Sequence, residues 1–170
     1  MYDYKIIKQV RRRPKPMSGI LKTVMVVLGS LFVLMAIFLS RGFMLPGFLL
    51  IMLYLFFDIF SQREYEYTLE GPAFSIDVIL GRRYRRKAHK LNLRELEILA
   101  PNWHESVSRY RRREGTEKLR KFDYTSYDDE IPYYTMIIIE EGQKKKFLLD
   151  LDEEMLGAMK RFYPEKVIFA

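Results

Sequence analysis

Cysteine is missing from all 170 residues, and histidine occurs only as His89 and His104. Without thiols there is no disulfide framework, no thiolate metal site and no cysteine nucleophile, and the composition suits a reducing interior. The chain has no P-loop, no G-x-G-x-x-G, no G-x-S-x-G and no H-E-x-x-H. His89 lies within the basic stretch Arg85–Lys90, whose neighbours offer no carboxylate to orient it, and reads as an exposed strand residue, while His104-Glu105 beside Trp103 is a loop triplet with no further support. Asp123, Asp128, Asp129 and Glu130 lack the ligand spacing and mid-loop glycine of a calcium loop and read as a solvated acidic turn. No internal repeat or low-complexity tract is present. Enzyme chemistry, a metal and a cofactor are therefore not expected.

Long apolar runs are what the chain does have. Thr23–Leu39 and Phe43–Phe60 stand almost back to back, parted by Ser40, Arg41 and Gly42. A bilayer core of about 30 Å takes roughly 17–25 apolar helical residues. Both runs reach the short end of that range and are apolar all round, whereas a soluble helix alternates its faces. The first run exceeds a signal-peptide core and lacks a small-x-small cleavage site. The expected organisation is a basic cytoplasmic tail over 1–19, a helical hairpin over 20–60 with spans at 20–39 and 43–60, and a domain over 61–170. The tail, with Pro14 and Pro16, reads as irregular.

Charge orients the hairpin. Lys5, Lys8, Arg11, Arg12, Arg13, Lys15 and Lys22 precede the first span, while Arg63, Arg82, Arg83, Arg85, Arg86 and Lys87 follow the second. The connecting turn holds only Arg41. Lys and Arg accumulate on the cytoplasmic side, so the expectation is a multi-pass protein of the cell membrane with both termini and the C-terminal domain inside. Lys22 and Asp58 fall at comparable depth in such a hairpin. They form an intramembrane pair, or each snorkels to the cytoplasmic headgroups; two spans enclose little of a pathway, which favours snorkelling. Gly29 and Ala36, seven apart, allow close helix approach.

Beyond residue 60 the period changes. Glu64–Glu70 alternates polar with apolar residues, as a half-buried strand does. Phe74, Ile76, Val78 and Leu80 repeat the alternation after a Gly71-Pro72-Ala73 turn. Further strands are expected over 83–91, 96–100 and 119–124, with a long loop over 101–118. Met136–Ile139 suits a central strand within 133–140, and Glu141-Gly142 turns it into a partner over 143–149. Asp150 and Glu153 have capping-box spacing, and Met155, Leu156, Met159, Phe162 and Tyr163 make one helical face that Pro164 ends.

A twisted sheet closed by one amphipathic helix describes an α+β fold of the split-barrel, pleckstrin-homology-like (PH-like) type. The tail 10–16, the paired spans, the strand-turn-strand at 65–80, the segment 91–101 and the stretch 148–169 together resemble a family of small bacterial two-span membrane proteins. That resemblance implies a PH-like cytoplasmic domain at the inner membrane surface. It implies no activity, since fold does not give function.

The candidate functional residues are therefore basic. Arg82, Arg83, Arg85, Arg86 and Lys87 form one cluster, and Arg109, Arg111, Arg112 and Arg113 a second; Lys144–Lys146 make a third patch. Along a strand, Arg83, Arg85 and Lys87 would face one way and Arg82, Tyr84 and Arg86 the other. Both faces cannot be core, which calls for an exposed edge or a protruding hairpin. The net charge of +7 fits an anionic leaflet. Trp103, Tyr84 and Tyr110 among arginines are suited to stacking bases, but membrane tethering restricts access and no nucleic-acid motif is present. Two readings remain: a non-catalytic module binding anionic lipid headgroups or a protein partner, and a small subunit of a larger membrane complex, or a homo-oligomer, held through its hairpin.

Overall fold

The computed structural model describes residues 5–14, 16–111 and 119–169. The chain divides into two compact units. One comprises Met1–Arg12, Tyr65–Val78 and Arg86–Ala170, and the other comprises Arg13–Glu64 with Ile79–Arg85.

The second unit is built on helices α1 (Pro16–Phe38) and α2 (Met44–Ser61), joined through one short helical turn at Arg41–Phe43. Both are long and apolar enough to cross a membrane. Side chains such as Ile37 and Leu45 remain about 70% and 68% exposed, which a core helix of a soluble protein would not tolerate. Thr23 and Ser30 donate to the carbonyls of Gly19 and Val26, so neither hydroxyl needs a partner outside its own helix. Pro46 falls in the first turn of α2, where its missing N–H costs nothing. Close approach occurs at Gly47, which lies against Phe32 and Val33. Gly29 faces Ile51 of α2 itself.

The first unit is a two-sheet α+β domain. Its first sheet runs in the order β1 (Lys5–Arg11), β2 (Arg63–Glu70), β3 (Ala73–Leu80), β4 (Tyr84–Asn92). The second sheet runs β5 (Leu96–Pro101), β7 (Tyr134–Glu140), β8 (Gln143–Leu149), β6 (Arg120–Asp123). There β5–β7 and β7–β8 are antiparallel and β6–β8 parallel, with Phe122 opposite Phe147. A two-residue loop with positive φ at Glu141 and Gly142 closes β7 onto β8, the hairpin geometry that matches strand twist. Helix α3 (Glu153–Phe162) packs Met155, Leu156 and Met159 into a core shared with Tyr67, Phe74, Leu99, Met136 and Phe147.

Two local expectations change. The tail expected to be irregular contains β1, because Ile6 and Val10 are buried in the core and Gln9 donates to the buried Glu66 carboxylate of β2. A strand that precedes the hairpin thus lies beside the strand that follows it. The cap of α3 is Asp152 rather than Asp150: its carboxylate accepts from the Met155 amide at 2.9 Å. Asp150 instead accepts from the Ser126 amide at 2.7 Å.

Candidate functional site

The basic cluster at Arg82–Lys87 is a hairpin tip. Gly81 and Arg82 both have positive φ, +56° and +62°, and the Arg83 amide donates to the Leu80 carbonyl. This is the two-residue turn that left-handed residues make, normally filled by Gly and Asn. Arg82 holds that conformation at a cost of about 1–2 kcal/mol relative to glycine. The burial of β3 explains why the tip protrudes: Phe74 and Ile76 are fully buried, whereas Val78 and Leu80 are only half-buried. On β4, residues Tyr84–Lys87 are exposed on both faces, as an edge strand extending past its core must be.

The tip is fastened to the end of α2. The Gly81 amide donates to the Gln62 carbonyl at 3.0 Å. A Cβ on Gly81 would stand 2.8 Å from Ile59 Cγ2, so only glycine permits this approach. Arg82 Nε lies 3.9 Å from the Glu64 carboxylate at the start of β2. Arg82, Arg83 and Arg85 therefore belong to the same compact unit as the two apolar helices, with Arg86 and Lys87 following directly along the strand.

Lys22 and Asp58 meet. Lys22 Nζ is 2.5 Å from Asp58 Oδ1, and Gln62 donates to Asp58 Oδ2 at 3.2 Å. The structure thus has an ion pair where the residues taken one at a time favoured separate snorkelling.

Arg109 and Arg111 are engaged within the fold. Arg109 pairs with Glu97 at 3.0 Å and lies over the Tyr110 ring, while Arg111 donates to the carbonyls of Asn102 and His104. Arg112 and Arg113 lie outside the described residues. Of the Lys144–Lys146 stretch only Lys144 is exposed, and it pairs with Glu97 at 2.8 Å, because β8 is an inner strand of its sheet. Lys145 and Lys146 are 6% and 7% exposed. Lys145 binds Glu140 and Glu141, and Lys146 donates to the Tyr110 carbonyl, its ammonium held below the usual lysine range by burial and by Lys121 and Arg111.

His89 also departs from expectation. It points inward from β4 into a cage of Phe122, Tyr124 and Phe147, and its Nδ1 lies 2.9 Å from Glu140 Oε1. The carboxylate that its sequence neighbours lacked arrives from β7, in the other sheet. Glu140 is desolvated, yet hydrogen bonds from Lys145 and His89 hold its carboxyl below the ordinary glutamate range. Among the described residues no group of three His, Asp or Glu could hold a metal ion.

The architecture is two sheets, a closing helix and a hairpin entering between the first two strands. The family model for the bacterial PH-like domain (DUF6106) matches residues 6–169. The chain belongs to this family. The match begins within β1 and runs through both apolar helices to the residues beyond α3. No curated protein and no solved structure matches the chain.

Proposed function

We propose that this PH-like protein is a membrane-anchored, non-catalytic interaction module whose β3–β4 tip binds anionic lipid headgroups at the cytoplasmic surface. The observation that carries the reading is the seat of Gly81 on Ile59 and Gln62, which ties a tip rich in Arg and Lys to the final turn of an apolar helix of spanning length. Positive charge before α1 and after α2 assigns that end of the hairpin to the cytoplasm. The pairing of β1 with β2 supports a hairpin whose two ends emerge on one side. Near an anionic leaflet each Lys or Arg contributes on the order of 1 kcal/mol, so Arg82, Arg83, Arg85, Arg86 and Lys87 acting together hold several headgroups. The strained Arg82 fits this reading, since a residue kept against its backbone preference points to a use for its side chain.

The test is lipid enrichment on the full chain. Protein extracted from bilayers with equal phosphatidylglycerol and phosphatidylethanolamine should retain an excess of phosphatidylglycerol, and the excess should fall in 0.5 M salt (about 4 Å Debye length). Charge reversal at Arg83, Arg85 and Arg86 should abolish the excess. Retention of equal amounts of both lipids by the wild type would dismiss the proposal. A subunit role keeps a second observation behind it: an apolar groove of about 530 Å³ runs between α1 and α2 past Gly29, Ser30 and Tyr54. Migration as a solitary monomer in a mild detergent extract of native membranes would count against that role.

A further inference from the structure

The seam between α1 and α2 keeps one register along its length. Lys22 meets Asp58, Gly29 lies against Ile51, and Gly47 lies against Val33. Each step along α1 is matched by an equal step back along α2, which sets Tyr54 level with Val26. Beside the seam runs a groove in two parts. The deeper part, about 530 Å³, passes Gly29, Val33, Leu34 and Ile51 and is apolar except for Ser30 and Tyr54. The shallower part, about 240 Å³, is lined by Lys22, Thr23 and Val27 and shares Val26 and Tyr54 with the first. Its polar groups therefore come in a fixed order. An ammonium stands where the chain enters α1 and leaves α2, a phenolic hydroxyl follows one turn further in, and an apolar trough continues from there.

Both polar groups have donors to spare. An ammonium has three N–H bonds, and Asp58 Oδ1 takes one from Lys22 at 2.5 Å. Ser30 gives its proton to the Val26 carbonyl of its own helix. The Tyr54 hydroxyl, by contrast, has no hydrogen-bond partner among the described residues. At 1.5 Å per residue Tyr54 lies about 10 Å inside the end of α2. At that depth in a bilayer an unmet donor is costly. Helical side chains lean toward the N-terminus of their own helix. Lys22 on α1 thus leans toward the headgroups, whereas Tyr54 on α2 leans inward along the trough.

We infer that this groove holds one phosphoglyceride, with its phosphate on Lys22, an ester carbonyl on Tyr54 and one acyl chain in the trough past Gly29 and Val33. The order of groups down the lipid is the order of groups down the groove. The ammonium makes charge-assisted bonds to phosphate oxygens without leaving Asp58. A helix from another chain would also fill the trough. Its backbone carbonyls are already bonded within it, however, so the donors of Lys22 and Tyr54 would stay unmet. The site rests on the membrane placement of the hairpin proposed above and uses none of the arginines of the β3–β4 tip.

Full-length protein in mild detergent is titrated with dioleoyl phosphatidylethanolamine, whose headgroup has no net charge, and bound lipid is counted by native mass spectrometry. The wild type should saturate at one lipid per chain. Charge reversal at Arg83, Arg85 and Arg86 should leave that lipid in place, so this site and the tip fail separately. Dioleoylglycerol, which lacks the phosphate, should bind about tenfold more weakly. The diether form of the phospholipid, which lacks the ester carbonyls, should bind about threefold more weakly. Tyr54→Phe should bind ester and ether forms equally, a change that mere loss of packing would not produce. Ser30→Phe fills the trough from an exposed position on α1 and should abolish the saturable lipid. Equal binding of ester and ether lipids by the wild type, full retention in Ser30→Phe, or loss of the lipid in the tip variant would each overturn the inference. A lipid-free dimer that Ser30→Phe splits would give the groove to a second copy and overturn it as well.

Discussion

Replacing the buried residues of β1 with alanine tests whether the segment before the hairpin is structurally part of the domain's core. Ile6 and Val10 are 7% and 6% exposed and share one face of the strand. Replacing both with alanine removes five buried carbon atoms. At about 0.8 kcal/mol for each methylene-sized group, the transfer loss is about 4 kcal/mol. The residues are four apart on one strand, roughly 13 Å, so their effects should add. Unrelaxed cavity would increase the loss, and relaxation of an edge strand would reduce it. Against a typical total stability of about 5–15 kcal/mol, a large share of the margin goes. Hydrogen exchange on the full chain in nanodiscs reads the result strand by strand. Amides of β2 and β3 should lose about a thousandfold of protection, while those in the middle of α1 and α2 keep theirs. Wild-type protection of β2 in the double variant would mean that β1 does not contribute to the core.

Three further outcomes are expected. Gly81→Ala places a Cβ against Ile59 in a left-handed backbone, and should cost about 1–2 kcal/mol and speed exchange of the residue-81 amide; Arg82→Gly should stabilise the turn while lowering phosphatidylglycerol retention. Exchanging the charges, with Lys22→Asp and Asp58→Lys together, should recover the thermal stability that either single substitution loses, about 3–5 kcal/mol for a broken buried pair and less here because both side chains are partly exposed. Glu140 stabilises the fold while ionised because its folded-state affinity for a proton is lowered; that stability is complete above the ordinary glutamate range and is lost as pH falls through the lowered value. Glu140→Gln should therefore show a flatter stability profile below about pH 4, measured by thermal unfolding across pH 2.5–6 (roughly the acid limb), and an unchanged profile would show that the Lys145–Glu140–His89 contacts carry no weight.

What the sequence discloses here depends on how local the cause is. The apolar runs declare α1 and α2 by length and composition alone, period-two alternation announces β2 and β3, and an apolar run turned at Glu141-Gly142 announces the β7–β8 hairpin. Helix α3 is legible too, although its cap shifts from Asp150 to Asp152, since two acids two residues apart offer nearly the same spacing. β1 escapes because the partner that makes Lys5–Arg11 a strand lies beyond the whole hairpin, and Ile6 and Val10 at a spacing of four suggest no sheet by themselves. His89 illustrates the same limit: its carboxylate comes from Glu140, fifty-one positions away in the other sheet. Charge runs mislead for a related reason. Lys145 and Lys146 look like solvent-facing residues until β8 is known to be an inner strand.

The adjacency of β1 and β2 also bears on how the protein is made. β1 leaves the ribosome first, yet its neighbour is synthesised only after both apolar helices have followed. Until then it is an unpaired strand with two core residues exposed, the kind of segment that invites wrong partners. On the proposed membrane reading, sheet completion would work as a checkpoint on insertion. A chain that threaded only one span would leave β1 and β2 on opposite sides of the bilayer, and its domain would close without Ile6, Val10 and the Gln9–Glu66 bond. Misinserted copies would thus carry an unfinished, protease-sensitive domain, and quality control could recognise them without ever sensing the membrane.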